Sequence, residues 1–317
     1  MSLRFTLRQL EYLVAVGECG SIALAAERVN VSSPSISAAI AQLEAGFGLP
    51  LFVRKHAHGM SPTQGGRELI REATALLQAA GRMNDLASSL TGRIGGPLNV
   101  GCLLTFAQII VPQLRRSFVD LHEAVEFRQF EYHQAALIDG LREARLDIAL
   151  TYDLAIPADL EFIELAVLPP FVLVSKNHPL VHRPSVSASE LVDHPLILLD
   201  LPLSSDYFLS FFDKAGVRPR IAERTRDMAV MQSLVANDFG YSIANLRPLS
   251  DRSPDGRFLH FIPLTGPVQP MRMGLLVAGG GTASLTVRAF IDHCRDYLTT
   301  RILPGLIVRP GGPRRDF

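Results

Sequence analysis

The segment from Gly20 to Gly48, GSIALAAERVNVSSPSISAAIAQLEAGFG, constrains the fold more than any other, because it reads as two short helices joined by a tight turn. In the first helix Ser21 stands as N-cap, and Ile22, Ala25, Ala26 and Val29 share one face, where two alanines let a neighbouring helix approach closely. Asn30 tolerates the left-handed backbone that the turn asks for. The second helix opens with Ser32, Ser33 and Pro34, a capping hydroxyl followed by a first-turn proline. Ile36, Ile40, Leu43 and Phe47 then form a stripe at helical spacing, which is its buried face. Ser33, Pro34, Ser35, Ser37, Ala38 and Gln42 remain outside it. These side chains are compact enough for the helix to sit deep in a DNA major groove, with hydroxyl, amide and methyl groups for base edges.

Spacing alone fits two core helices of any small helical domain equally well. The neighbouring segment tips the balance, because Leu49 to Met60 reads as a strand, a basic tip with Gly59, and a return strand. Such a wing lies beside a recognition helix, and Arg54, Lys55, His56 and His58 would face phosphates.

These residues resemble the LysR-type transcriptional regulators. The likeness rests on Leu10 to Val14, Ser21 with Ala25 and Ala26, Ser33-Pro34-Ser35-Ile36-Ser37, Gln42-Leu43-Glu44, Gly48 to Arg54, and Ser61-Pro62-Thr63. Family members often carry glutamine before the proline and arginine after the second serine. Here Ser33 and Ala38 stand at those positions, so no arginine is there to pair with guanine.

Composition sets further bounds. Lys+Arg 31 against Asp+Glu 31 leaves no global basic charge, so nucleic-acid binding must rest on a local face. Arg4, Arg8 and Glu11 near the start, without an apolar run and cleavage site, argue against secretion and for the cytoplasm. Cys19, Cys102 and Cys294 lack metal-ligand spacing, as in a reducing compartment. Ile94 to Leu114 carries no charge, yet its glycines and prolines break a spanning helix, so no membrane contact is expected.

In chain order, residues 1–63 read as a winged helix-turn-helix domain and residues 64–94 as a linker helix and hinge. Within the linker, Leu69, Ala73, Leu76, Ala80, Met83, Ala87 and Leu90 alternate steps of four and three. That heptad seam, with alternate alanines, suits an antiparallel helix pair between subunits, whereas packing on the chain's own domain is the plainer alternative.

Residues 95–303 alternate strands with helices and cross twice at prolines, giving an α/β unit of two lobes, 95–168 with 269–303 and 169–268. The family resemblance implies a periplasmic-binding-protein-like effector domain. One helix is expected from Thr105 to Phe118, and residues 304–317 read as a disordered tail.

Ligands of open α/β sheets bind where strands end and helices begin. Leu104 and Thr105, Ser204 and Ser205, and Met228 mark three such junctions, and Asp227 reads as a cap only. His133 follows the second strand, where the family often places an effector contact. Tyr132, Tyr152, Phe171 and Tyr241 are candidate apolar walls, of which Tyr152 and Tyr241 join the candidate site.

Gly240-Tyr241-Ser242-Ile243-Ala244 approximates a nucleophile elbow but lacks its closing glycine. No catalytic residue, metal ligand or cofactor is expected. The chain therefore reads as a sequence-specific DNA-binding regulator answering to a small-molecule inducer. Its expected partners are duplex DNA, a small anionic or polar effector, a second copy in a homodimer or, by resemblance, a homotetramer, and RNA polymerase. The alternative is a small-molecule-binding protein or solute-handling enzyme with a helical N-terminal interaction module.

Overall fold

The computed structural model describes residues 4–55, 59–279 and 283–308. The first unit holds α1 (Leu7–Cys19), α2 (Ile22–Arg28), α3 (Ser33–Phe47), the hairpin β1 (Phe52–Lys55) and β2 (Gly59–Pro62), and α4 (Gln64–Thr91). Thr6 caps α1 in a reciprocal capping box with Gln9, Ser21 caps α2, and Ser32 caps α3 with Pro34 in the first turn. Asn30 does turn left-handed, at φ 53°. Leu13, Val16, Ala25, Ile36, Ile40, Leu43 and Leu51 close one apolar core.

Two contacts fix the hairpin against the helices. At Gly59, where φ is 88°, a Cβ would fall 2.4 Å from the Gly20 carbonyl oxygen, and the adjoining Met60 N–H donates to that same oxygen at 2.7 Å. Gly66 in α4 leaves still less room, since a Cβ would meet the Leu51 carbonyl oxygen at 2.0 Å.

The first turns of α4 pack on this same core, and that corrects part of the expected intersubunit seam. Ala73 is buried and Leu69 half-buried within it, beside Ile70 and Leu77, because α4 lies against α1. Leu76 and Met83 are exposed, at 47% and 72%, and Ala80 is half-buried. The side chains of Ala87 and Leu90 lie outside the described residues.

The second unit begins with β3 (Gly96–Cys102), α5 (Leu104–Ile109), α6 (Val111–Leu121), β4 (Val125–Glu131), α7 (Gln134–Arg142), β5 (Ile148–Tyr152) and β6 (Leu160–Leu168). It continues through β7 (Phe171–Ser175), β8 (Val186–Ser187), β9 (Pro195–Leu199), α8 (Ser204–Lys214), β10 (Arg220–Thr225), α9 (Met228–Ala236), β11 (Ser242–Ala244) and β12 (Leu259–Thr265). The chain closes with β13 (Met271–Ala278), α10 (Leu285–Tyr297), a π-helical turn (Leu298–Ile302) and α11 (Leu303–Leu306).

One lobe is a five-stranded sheet of order β4-β3-β5-β13-β6, parallel across β4, β3 and β5 and antiparallel at β13 and β6. The other joins the sheet β11-β7-β12-β8 to the parallel pair β10-β9 through a bridge between Leu196 and Tyr241. The chain passes between lobes from β6 to β7 and from β12 to β13, at the two proline-marked crossings.

The single helix expected from Thr105 to Phe118 is two. Ile110 separates α5 from α6 because Pro112 has no N–H to continue the ladder and sits instead in the first turn of α6. The expected disordered tail also starts too early. Leu303 and Leu306 are buried in the first lobe's core and Val308 in the second lobe's, and the Arg247 N–H donates to the Leu306 carbonyl at 3.0 Å. Residues 309–317 lie outside the described residues. Among those described, no helix is long and apolar enough to cross a membrane.

Candidate functional sites

The first candidate site is the outer face of α3. Pro34, Ser35, Ser37, Ala38 and Gln42 are exposed, and Ser33 is half-buried, while Ile36, Ile40 and Leu43 hold the opposite face in the core. The Ser32 hydroxyl, 2.8 Å from that of Ser35, accepts the Ser35 N–H at 3.4 Å. Arg54 and Lys55 belong to β1, though their side chains, and His56 and His58 altogether, lie outside the described residues.

Glu44 ties that hairpin to the helix. Its Oε1 accepts the N–H groups of Leu51 at 2.7 Å and Phe52 at 3.3 Å, where the chain enters β1. Thr63 completes the tie by donating to the Pro50 carbonyl at 2.8 Å while accepting the Gly66 N–H at 2.9 Å. The resemblance motif had included both residues without a role. Their work is to set the angle between helix and wing.

The second candidate site lies at the strand ends of the two lobes. Thr105 is the second residue of α5 and half-buried, and Leu104 is 51% exposed. Ser204 and Ser205 open α8 and are half-buried. None of the three is an N-cap, since Leu103 and Leu203 hold those positions without a side-chain bond, and Leu203 does so at φ 67°. Asp227 is the cap expected of it, accepting the Ala229 and Val230 N–H groups at 2.7 and 3.1 Å.

Three expected effector contacts have other duties. His133 caps α7, its Nδ1 accepting the Ala136 N–H at 3.3 Å, and its ring is exposed. Met228 packs on the second lobe's core. Tyr241 is wholly buried under α8, so it walls no open cleft. Ser242 is buried within β11, away from any strand-to-helix turn, which removes the geometry of a nucleophile elbow.

Tyr152 lies in its own lobe's core. It is buried against Phe106 at 4.7 Å between ring centroids, and burial, with the Tyr207 hydroxyl nearby, raises its phenol well above the ordinary range. Tyr207, from the first turn of α8, packs on the cores of both lobes. Its hydroxyl donates to the Gln269 carbonyl at 2.7 Å and accepts from Asn245 Nδ2 at 2.9 Å, which also donates to the Leu168 carbonyl at 2.8 Å. Both crossings are thus bonded to one tyrosine–asparagine pair. Beside them Gln134, itself buried, donates to the Tyr152 and Leu154 carbonyls at 3.3 and 3.1 Å. Tyr207, Asn245 and Gln134 escaped the sequence reading. Their only signal was a polar group next to an apolar run.

Two family models match the chain, "Bacterial regulatory helix-turn-helix protein, lysR family" over residues 7–67 and "LysR substrate binding domain" over residues 91–299. The chain is 28% identical to the transcriptional activator protein LysR of Escherichia coli over 90% of this chain and 91% of that one. It is likewise 28% identical to the hydrogen peroxide-inducible genes activator of Haemophilus influenzae, over 87% and 91% of the two chains. Among solved structures, HinK of Pseudomonas aeruginosa, a LysR family transcriptional regulator, aligns at 31% identity and TM-score 0.63 over 93% of this chain and 99% of that one. The chain belongs to the LysR family of transcriptional regulators, which bind DNA and respond to small molecules through their substrate-binding domain.

Proposed function

We propose that α3 reads the major groove with Ser33, Pro34, Ser35, Ser37, Ala38 and Gln42, and that the β1–β2 wing neutralises phosphates through Arg54, Lys55, His56 and His58. The observation that carries this reading is the polar outer face of α3, exposed beside a wing held in place by Glu44. The inducer is a small anionic or polar metabolite held between the lobes, with Thr105, Ser204 and Ser205 as hydroxyl partners and Tyr152 and Tyr207 at its apolar end. No side chain caps the N-termini of α5 and α8, so first-turn N–H groups other than those of Phe106, Ser205 and Tyr207, bonded to Leu103, Leu201 and Leu203, can donate to such a ligand. Two copies pair through Leu76, Ala80 and Met83 of α4, the part of the seam left outside the chain's own core, and a tetramer forms by pairing such dimers. The regulator acts in the cytoplasm, with RNA polymerase as its downstream partner.

Peroxide chemistry is not part of this reading, although relatives carry that name. No cysteine lies between Cys102 and Cys294, and both of these thiols are buried. Burial pushes Cys102 up to about 12 and raises Cys294 well above the ordinary range, so neither is a thiolate near neutrality.

The test pairs two measurements on the full chain. Retention on random duplex DNA at moderate salt should fall in Arg54→Ala and Lys55→Ala with a shallower salt dependence, and a thermal-shift screen of carboxylate metabolites should find a stabilising ligand. Unchanged salt dependence in both wing variants would remove the wing from the DNA interface. A stabilising ligand that is wholly apolar would overturn the proposed cleft chemistry.

A further inference from the structure

Gln42 is the longest side chain on the proposed DNA face of α3, and it is bonded to a residue of another helix. Gln9 of α1, half-buried, directs its Nε2 at the Gln42 Oε1 at 2.8 Å. Carboxamide oxygen and nitrogen are distinguished only by their partners, so the assignment must begin from an unambiguous donor. The backbone supplies one. The Thr6 N–H points at Gln9 Oε1 at 2.8 Å, and a backbone N–H can only donate. Gln9 therefore presents oxygen to Thr6 and nitrogen to Gln42. Gln42 must answer with its oxygen, and its NH2 group is turned away from Gln9, without a partner among the described residues.

We propose that Gln9 is a positioning residue for DNA recognition. It sets the amide of Gln42 so that an N–H donor, rather than a carbonyl, faces the nucleic acid. The inference rests on the reading of α3 as the recognition helix. It specifies the chemistry of the target as an acceptor, either a phosphate oxygen or a base-edge acceptor such as guanine O6 and N7 or thymine O4. With Ala38 one turn earlier on the same face, Gln42 supplies a hydrogen-bonding group where its neighbour has none.

The test is a double-mutant cycle on the full chain, using fluorescent duplexes selected by the unmodified protein from a random library. Gln42→Ala and Gln9→Met should each weaken binding about threefold to tenfold, the range of one neutral hydrogen bond. The double variant should bind no more weakly than Gln42→Ala alone, because Gln9 acts through Gln42. The salt dependence should stay unchanged in all three, since a neutral amide displaces no counterion. Gln9→Met also removes the acceptor of the α1 cap, so Gln9→Glu is its companion: it keeps that acceptor, has no donor for Gln42, and should retain the melting temperature while weakening binding.

Repeating the selection with Gln42→Ala separates the two sources of the acceptor. Relaxation at one base position assigns a base edge, and an unchanged motif assigns a phosphate. Additive losses in the cycle, or unmodified affinity in both Gln9 variants, would overturn the relay while leaving Gln42 as a contact. Unmodified affinity in Gln42→Ala would remove Gln42 from the DNA interface and the relay with it.

Discussion

Glu44 shows how one side chain ties a helix to a hairpin, the two elements proposed to face DNA. Its Oε1 is the acceptor for Leu51 and Phe52, both buried, so Glu44→Ala leaves two N–H groups without a partner. A hydrogen bond to a charged group contributes about 1.5–3 kcal/mol, and its loss here should appear as faster hydrogen exchange at the Leu51 and Phe52 amides together with weaker DNA binding. Glu44→Gln keeps an acceptor and should recover most of both; exchange unaltered in Glu44→Ala would mean that Thr63 alone holds the wing. The cysteines give a second measurement at this scale. With Cys102 pushed up to about 12 and Cys294 raised well above the ordinary range by burial, alkylation of the native chain at pH 8 should modify the half-buried Cys19 and spare the other two. Labelling of all three at equal rates would contradict the burial. His178 contributes to the pH dependence, as does His293, which burial also lowers. Burial against the neighbouring His194 ring lowers His178 to about 4, although Asp238 pulls the other way. The native histidine stays neutral while the unfolded one takes a proton near its ordinary value. Stability is therefore complete above about pH 6.5 and falls as pH drops toward 4, by at most about 3 kcal/mol. Denaturant titrations of His178→Gln should show a shallower slope, and an equal slope in both proteins would place the acid sensitivity elsewhere.

Elements were legible wherever an apolar run ended at residues that cannot continue it. The linker helix is the clearest case, since Gln64–Thr91 falls within residues 64–94 and Gly92 follows its last residue. What periodicity could not show is the partner that a stripe faces. Leu69 and Ala73 have the spacing of an intersubunit seam, yet α1 lies against them, so a heptad at its start is simply the inner face of a domain helix. Met228 and Tyr241 were placed in the cleft for the same reason: a residue at a strand end or a helix start is at the right height in the sheet, but sequence does not say which side it faces. The seam now divides into two experiments. Ala80→Glu or Met83→Glu should yield monomers by sedimentation at low concentration with unchanged helix content, whereas Ala73→Glu should unfold the N-terminal unit by placing a charge in its core. A dimer unaffected by both outer substitutions would assign pairing to the second unit alone.

Taken as a whole, the molecule couples its lobes through more than the two chain crossings. Tyr207 and Asn245 bond to backbone carbonyls at Leu168 and Gln269, one on each crossing, so any rotation of the lobes must rearrange that pair. The segment after the π-helical turn adds a third tie. Its composition of glycine, proline and arginine resembled a solvated tail, but three apolar residues decide otherwise, with Leu303 and Leu306 on one lobe's core and Val308 on the other's. The Arg247 N–H holds the strap between them, and the Arg247 guanidinium pairs with buried Asp251 at 2.5 Å while lying 4.7 Å from the Phe261 ring centre. Leu306 is fully buried, so Leu306→Ala should cost about 2–5 kcal/mol and lower the melting temperature of the second unit. Val308→Asp instead releases one anchor, because a carboxylate is not accommodated beside Phe171, Leu173 and Met231. Its expected signature is local: the Arg247 amide, bonded to the Leu306 carbonyl, exchanges with solvent faster while the strands of the first lobe's sheet keep their protection. Full protection of the Arg247 amide in Val308→Asp would mean that Leu303 and Leu306 hold the strap without help from the second lobe.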